Sequence, residues 1–384
     1  IGKQHKQKGL SDGSTKYNTD NQDQLHPSFG KPHRGKKGNH KSNIDGSEQR
    51  ELTENEHVVE EKRAELIETP LVRNMMKNFY RKFRLEEKES LEGAESYAMS
   101  CLGNPEFQPS VHWRIYLELA DLSKRSNKFN RARELYSKVC ELQPYASQGW
   151  SERSKLEEEC GKLLDCSKIL FDGLIYCPTN ENLRTRAIKH EERMAYEFHN
   201  GDLSRARELL EPTASMDIEK VWRTLLEGAL MEARGGNIDI ARNELRKLMK
   251  NVSWYGPLYL EAFRLERDCN LPERALVIVD EGLKEIPRYG PLWFGAFRIC
   301  EGIDIQNGDL HLPRTFNYID RAIKSISREL IWKVQMEAAQ ALERAAHIAI
   351  TNELIKAVGD LLTETRKRFA KTIFSCPENL CWKV

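Results

Sequence analysis

The sequence predicts an all-α protein: a right-handed α-solenoid of stacked antiparallel helix pairs, preceded by a disordered N-terminal tail. Three observations predict it. Aromatic residues return about every 35 residues, at Trp113, Trp150, Trp222, Tyr259, Trp293 and Trp332. Between them a small residue is followed twelve positions later by proline: Ala132 and Pro144, Cys166 and Pro178, Ala275 and Pro287. From Leu71 onward apolar residues recur at three- and four-residue spacing, Gly, Asn or Pro punctuates every 12–20 residues, and no segment alternates as a strand does.

Composition bounds the rest. The chain has 384 residues, 60 Lys+Arg against 59 Asp+Glu, 39% hydrophobic and 31% charged residues. That is polar for a compact enzyme but too apolar for a wholly disordered chain. No run approaches the roughly 18 apolar residues of a membrane helix, so no membrane partner is expected. The first residue is Ile and no charged-then-apolar leader follows, which reads as a fragment or a processed form. The nine cysteines show no regular framework, and several occupy small-residue positions on helices; buried free thiols and a reducing compartment are expected.

Residues 1–50 carry ten Lys/Arg, five acids and four of the ten histidines, with few large apolar groups. Burial so small cannot offset the ordering entropy, and a disordered basic tail is expected there. Its Lys31–Lys37 run reads as a solvated segment, as a nuclear address or as a weak nucleic-acid contact. Residues 51–70 read as an acidic helical linker ending at Thr69-Pro70. Over 51–384 there remain 50 basic and 54 acidic residues, a net of −4.

The array itself occupies 71–384, with repeats near 71–105, 111–144, 148–178, 183–218, 222–253, 257–287, 291–325 and 332–377. Successive anchors lie 37, 72, 37, 34 and 39 residues apart, so one anchor is missing from the 72-residue gap; Leu183 is the expected substitute. Glutamate stands seven residues beyond two anchors, at Glu157 and Glu266, and Glu191 occupies the equivalent place in the unanchored repeat. Second helices begin around Ala132, Cys166, Ala206, Ala241, Ala275 and Ala322, closed by Pro144, Pro178 and Pro287 where a proline is present. The small residue lets two helix backbones approach, and proline ends the helix because it lacks an N–H and disfavours helix in the residue before it. A single pair cannot bury its apolar face, so the pairs stack. The end, Cys376-Pro377 to Trp382, reads as the opening of a further repeat and the array as truncated.

This motif set resembles the half-a-TPR (HAT) repeat of the TPR-like superfamily: Trp113, then Ala132-Arg133-Glu134-Leu135-Tyr136, Pro144, Trp150 and Glu157. Glu118, five rather than seven residues past Trp113, and Leu183 depart from the pattern. The resemblance implies a nuclear RNA-processing scaffold, of the class that serves pre-mRNA splicing, 3′-end formation or ribosomal-RNA processing. It holds other proteins of a complex along the solenoid and can self-associate as a homodimer.

No residue pattern points to a reaction, and neither enzyme activity nor a cofactor is expected. Gly201 and Gly235-Gly236 read as turn glycines without the Lys-Ser/Thr of a phosphate loop. His190-Glu191-Glu192 lacks the second histidine of a zinc helix, since residue 194 is Met. Glu157-Glu158-Glu159 reads as a solvated face. The arginines beside the small residues (Arg131, Arg133, Arg205, Arg207, Arg242, Arg274, Arg321) have two readings. They either line the array for RNA phosphates or pair with Glu157, Glu191 and Glu266; the net −4 favours pairing. Arg366, Lys367, Arg368 and Lys371 form the one strongly basic exposed stretch and are the candidate nucleic-acid contacts. Two further readings stay open: a single-stranded RNA binder of an organelle, and a cytoplasmic TPR-type adaptor.

Overall fold

The computed structural model describes residues 70–376. The expected tail, the linker at 51–69 and the further repeat from Pro377 to Trp382 lie outside the described residues. The helices all belong to one of the chain's two units, Thr53–Val384.

Sixteen α-helices, and no strand, occur among the described residues. They are α1 (Pro70–Glu89), α2 (Leu91–Leu102), α3 (Pro109–Arg125), α4 (Phe129–Leu142), α5 (Ser147–Glu159), α6 (Leu163–Tyr176), α7 (Glu181–Phe198) and α8 (Ser204–Glu208). Then follow α9 (Ile218–Arg234), α10 (Ile238–Asn251), α11 (Gly256–Asp268), α12 (Pro272–Glu285), α13 (Gly290–Gln306), α14 (Pro313–Ser325), α15 (Ile331–Thr351) and α16 (Ile355–Ser375). Odd-numbered helices are the first (A) and even-numbered the second (B) of each pair. Helices pack on their sequence neighbours, save that α9 packs on α7 past the short α8, which makes the chain a solenoid of stacked pairs.

The turns explain the pairing. Between A and B helices the chain passes through the left-handed region at Asn127 (φ 56°), Gly161 (74°), Gly236 (81°), Asn270 (57°) and Gly308 (82°). Gly has no Cβ to clash there, and Asn is the side chain that tolerates it best. The residue after each one donates back into the A helix: Lys128 N–H to the Ser123 carbonyl, Lys162 to Glu157, Asn237 to Glu232, Leu271 to Glu266. These bonds satisfy carbonyls that the helix end would leave unpaired. Between B and A, Pro144, Pro178 and Pro287 each stand two residues beyond the last helical residue; Ser253 follows α10 and Ser327 follows α14 in the same place.

The six aromatic anchors all sit on A helices and are all buried. Ala132, Cys166, Ala206, Ala241 and Ala275 are buried in the first turns of B helices. A second small position, absent from the sequence reading, lies seven residues further on. A Cβ added to Gly173 would stand 2.8 Å from the Trp150 side chain, and one added to Gly282 would stand 2.8 Å from the Tyr259 ring. The anchors rest on these glycines. The core is continuous across pairs, as where Tyr259, Phe263, Val279, Trp293, Phe297, Ile319 and Val334 form one cluster from α11 to α15.

Three expectations are corrected. Ala322 does not begin its helix: its carbonyl accepts the capping N–H of Ile326, as Gly173 and Gly282 accept from Cys177 and Ile286, so it occupies the second small position. The first is held by buried Thr315, whose N–H and hydroxyl both bond Asp304 at 2.9 Å. The B helix of the fourth pair is only five residues long and runs into a 3-10 turn at Glu211–Ser215, because Pro212 cannot donate within a continuing helix. The missing anchor is Arg184, not Leu183. The indole of Trp150 donates to the Pro144 carbonyl at 2.7 Å and that of Trp293 to the Pro287 carbonyl at 2.9 Å, each six residues back. Arg184 donates to the Pro178 carbonyl, also six back, at 2.5 Å, and to the Leu209 carbonyl at 2.8 Å. Leu183 is buried beside it, as Leu292 is beside Trp293.

Candidate protein-interaction surface

What the array can offer a ligand depends on which charges it keeps for itself. The B-helix arginines turn inward. Arg133 forks onto Glu157 of the next A helix at 2.5 and 2.9 Å, Arg207 onto Glu232 at 2.7 and 2.9 Å, and Arg242 onto Glu266 at 2.7 and 2.9 Å. The planar guanidinium matches a carboxylate edge to edge, so each pair fixes orientation as well as distance. In the third pair Ser167 replaces the arginine and donates to Glu191 of the next A helix, with Arg205 3.5 Å away. Arg131 pairs with Glu95, and Arg321 with Asp280 at 2.8 Å.

A second set of pairs, missed in the sequence, ties A helices to A helices. Arg234 on α9 forks onto Glu192 of α7 at 2.6 and 2.7 Å and touches Glu227 at 2.8 Å, while Lys189 of α7 reaches Glu227 at 3.1 Å. The arrangement recurs between α13 and α15: Arg344 on Glu301 at 2.6 and 2.8 Å and on Glu337 at 3.2 Å, with Arg298 on Glu337 at 2.9 Å. It recurs again between α1 and α3, where Arg125 bonds Glu87 at 2.6 Å and Arg84 reaches Glu87 at 2.8 Å and Glu118 at 3.1 Å. The signal was present. Trp113, Trp222 and Trp332 are each followed by Glu at five residues and Arg at twelve. Glu118 is therefore a clamp residue and not a displaced copy of Glu157.

These clamps occupy every third junction between A helices. Helix length follows the same rhythm: α5 and α11 have 13 residues, while α3, α7, α9 and α13 have 17 or 18. Many framework residues repeat at a spacing of 109, among them Trp113 and Trp222, Ala132 and Ala241, Arg133 and Arg242, Gly173 and Gly282, Pro178 and Pro287. The structural unit is thus three helix pairs.

The expected solvated acids are not a free face either. Glu157 is buried on Arg133, Glu158 takes Arg186 of α7 at 2.5 Å, and Glu159 takes Lys124 of α3 at 2.6 Å. Three successive side chains reach three helices because 100° separates neighbours on α5. His190 is buried, its Nε2 donating to the Leu163 carbonyl at 2.9 Å and its Nδ1 lying 3.5 Å from Cys166 Sγ. Burial pushes that thiol up to about 12, and the Cys300 thiol likewise. Among the described residues six cysteines are buried.

Of the candidate nucleic-acid contacts, Arg366, Lys367 and Lys371 are exposed on α16. Lys367 lies 3.6 Å from Glu364. Arg368 is corrected: it folds inward over the Phe316 ring, 4.8 Å from its centroid, and bonds Glu364 at 3.2 Å. The geometry does not gather the four into one exposed basic patch.

A groove formed by α10, α11 and α12 is open. It runs between α10 and α12 over the floor of α11 and encloses about 800 Å³. Arg246 and Lys250 line one wall; Arg274, Val277, Glu281 and Glu285 line the other. The Arg242–Glu266 pair closes its floor.

A helices carry large anchors, B helices carry small residues, carboxylate–guanidinium staples join the pairs, and residues 106–384 match the family described as PRP6, TPR-like domain. The chain belongs to that family. The PRP6-type array is 43% identical over 322 residues to a TPR-containing protein of Dictyostelium discoideum, a match covering 84% of this chain and 23% of that protein. The chain thus spans about a quarter of the length of that relative. Among solved structures it is similar to a tetratricopeptide repeat protein from Parabacteroides merdae (14% identity, 70% of this chain and 99% of that one, TM-score 0.39). It is also similar to the C-terminal part of a TPR repeat-containing protein from Cytophaga hutchinsonii (13% identity, 68% and 99%, TM-score 0.44).

Proposed function

We propose that this PRP6-type array is a non-enzymatic scaffold of a nuclear splicing complex, holding partner proteins along its helices. The family match supports the splicing context, since PRP6 is a splicing factor. The observation that carries the scaffold reading, over direct RNA binding, is the fate of the arginines. Arg133, Arg207, Arg234, Arg242 and Arg344 are each forked onto a carboxylate of the array itself. A guanidinium so engaged has its Nε–Nη2 edge occupied and its charge offset by the carboxylate, which leaves it a weak ligand for a phosphate.

The test compares the full chain with an oligouridylate and with splicing-particle proteins. Fluorescence anisotropy from roughly 50 to 200 mM salt should show no tight, salt-steep RNA binding. Nuclease-treated nuclear extract should still deliver splicing proteins to the immobilised chain. Tight binding to the oligouridylate that collapses with salt would reverse the reading in favour of an RNA binder, and nuclease-resistant partners drawn only from other complexes would favour a general adaptor.

A further inference from the structure

The 109-residue spacing allows one part of the chain to be compared with another. The groove between α10 and α12 has a counterpart between α4 and α6, and the two share a framework: Ala132 and Ala241, Arg133 and Arg242, Glu157 and Glu266, Gly173 and Gly282. Their walls differ. Ser137, Glu141, Asp165 and Lys168 are replaced by Arg246, Lys250, Arg274 and Val277, and Tyr176 by Glu285. In the first copy Tyr176 stacks on Trp150, ring centroids 5.7 Å apart, and Tyr145 meets Tyr176 edge-on at 6.0 Å. In the second copy a carboxylate takes the place of that ring.

The adjacent groove, between α12 and α14, is bridged. Arg314 reaches Glu273 at 2.7 Å, and Asp280 takes Arg321 at 2.8 Å and the Tyr318 hydroxyl at 3.0 Å. Across the α10–α12 groove there is no such strut. Among the described residues Arg246, Lys250, Arg274, Glu281, Lys284 and Glu285 form no ion pair, although all are exposed and line the same space. Val277, 58% exposed, stands among them with Met249 and Ile278 half-buried beneath. Folding accounts for the shared framework. It does not account for four cations without an ion pair, Arg246 bonding only the Asn243 amide oxygen at 2.9 Å, set round an exposed valine.

We infer that the groove between α10 and α12 receives an acidic amphipathic segment of a partner protein. Its apolar side chains lie on Val277, Ile278 and Met249, and its carboxylates on Arg246, Lys250 and Arg274. The charge balance selects this occupant. With Glu266 held by Arg242, four cations face two acids, which attracts an anionic ligand. A phosphate backbone carries a charge on every nucleotide and would set some of them against Glu281 and Glu285. A peptide spaces its carboxylates and can leave those two positions neutral or basic, and it alone supplies an apolar stripe for Val277. The inference rests on the scaffold reading in taking the partner to be a protein.

The test uses the full chain and three fluorescent probes: a synthetic leucine–glutamate amphipathic peptide, the same peptide with lysine for glutamate, and an oligouridylate. The acidic peptide should bind more tightly than the basic one. Lys250→Glu with Arg274→Glu should weaken the acidic peptide about tenfold or more and strengthen the basic one. Val277→Glu should weaken the acidic peptide without reversing the preference. These side chains are exposed, and unchanged circular dichroism and melting temperature would show that the fold is intact. Equal binding of the two peptides, or affinities untouched by the substitutions, would overturn the groove assignment and leave the scaffold reading to its own test. Oligouridylate binding that falls with the same substitutions would overturn both.

Discussion

Arg184 donates to the carbonyl oxygen of Pro178 at 2.5 Å, the bond that the indoles of Trp150 and Trp293 make with Pro144 and Pro287. A cation thus fills an aromatic slot. It is buried with two backbone carbonyls as partners, and burial draws its guanidinium below the usual arginine range. Arg184→Ala would leave the carbonyls of Pro178 and Leu209 without these donors. Chemical denaturation should show a loss on the order of 3 kcal/mol, from about 1–3 kcal/mol for each orphaned group. Trp150→Ala should cost about 3–5 kcal/mol through the cavity it leaves.

The three A-helix clamps should differ in strength in a stated order. Glu192 and Glu301 are the buried acids, with side chains 9% and 8% exposed, against 18% for Glu87. Double-mutant cycles should therefore give Arg234/Glu192 and Arg344/Glu301 similar coupling and Arg125/Glu87 less, because water screens the last pair most. Equal coupling in all three would mean that burial does not set their strength.

The glycines beneath the anchors should be intolerant of a single methyl group. In Gly173→Ala and Gly282→Ala the new carbon meets a buried ring at 2.8 Å, and an overpacking loss of about 1–3 kcal/mol is expected. Gly302 in α13 has nothing within 4 Å of its would-be Cβ. There the change to Ala should stabilise by roughly 0.5–1 kcal/mol, since glycine in a helix interior is costly. Opposite signs in thermal melts check the pair.

Glu232 gives the acid dependence a definite sign. The hydrogen bonds from Arg207, with that from Asn237, hold its carboxyl below its ordinary value of 4.5. A depressed acid contributes stability that is complete above the unfolded-state value and is lost as pH falls through the folded one. Glu232→Gln should be less stable than the parent at neutral pH. The gap should close as pH drops below about 4, and a gap constant with pH would show that the charge contributes nothing.

Much of the fold was legible in the sequence because it is periodic. The spacing of Ala132, Cys166 and Ala275 from their prolines fixes B-helix length, and Gly236 and Asn270 mark turns whose backbone angles only a few residues accept. What escaped does so for physical reasons. Arg184 resembles any surface arginine until its carbonyl partners are in view. Gly173 and Gly282 carry no signal of their own until the ring that their lack of a Cβ admits is in view. The clamps were hidden by comparing neighbouring repeats, when the match lies three pairs away: Glu118, Glu227 and Glu337 align with one another and not with Glu157. The open groove joins side chains from three helices, and no single stretch of sequence contains it.

The three-pair rhythm limits how such an array can change its length. Deleting one pair would bring a 13-residue helix against a partner built for one a turn longer, and would leave half a clamp with buried acids and no guanidinium. Deleting three pairs would bring Trp222 into the place of Trp113, with Arg234 opposite Glu87 as Arg125 was and Arg242 opposite Glu266 as Arg133 was opposite Glu157. The protein is therefore modular at 109 residues rather than at 35. Chimeras joined at that interval should fold, and those joined one repeat out of phase should not.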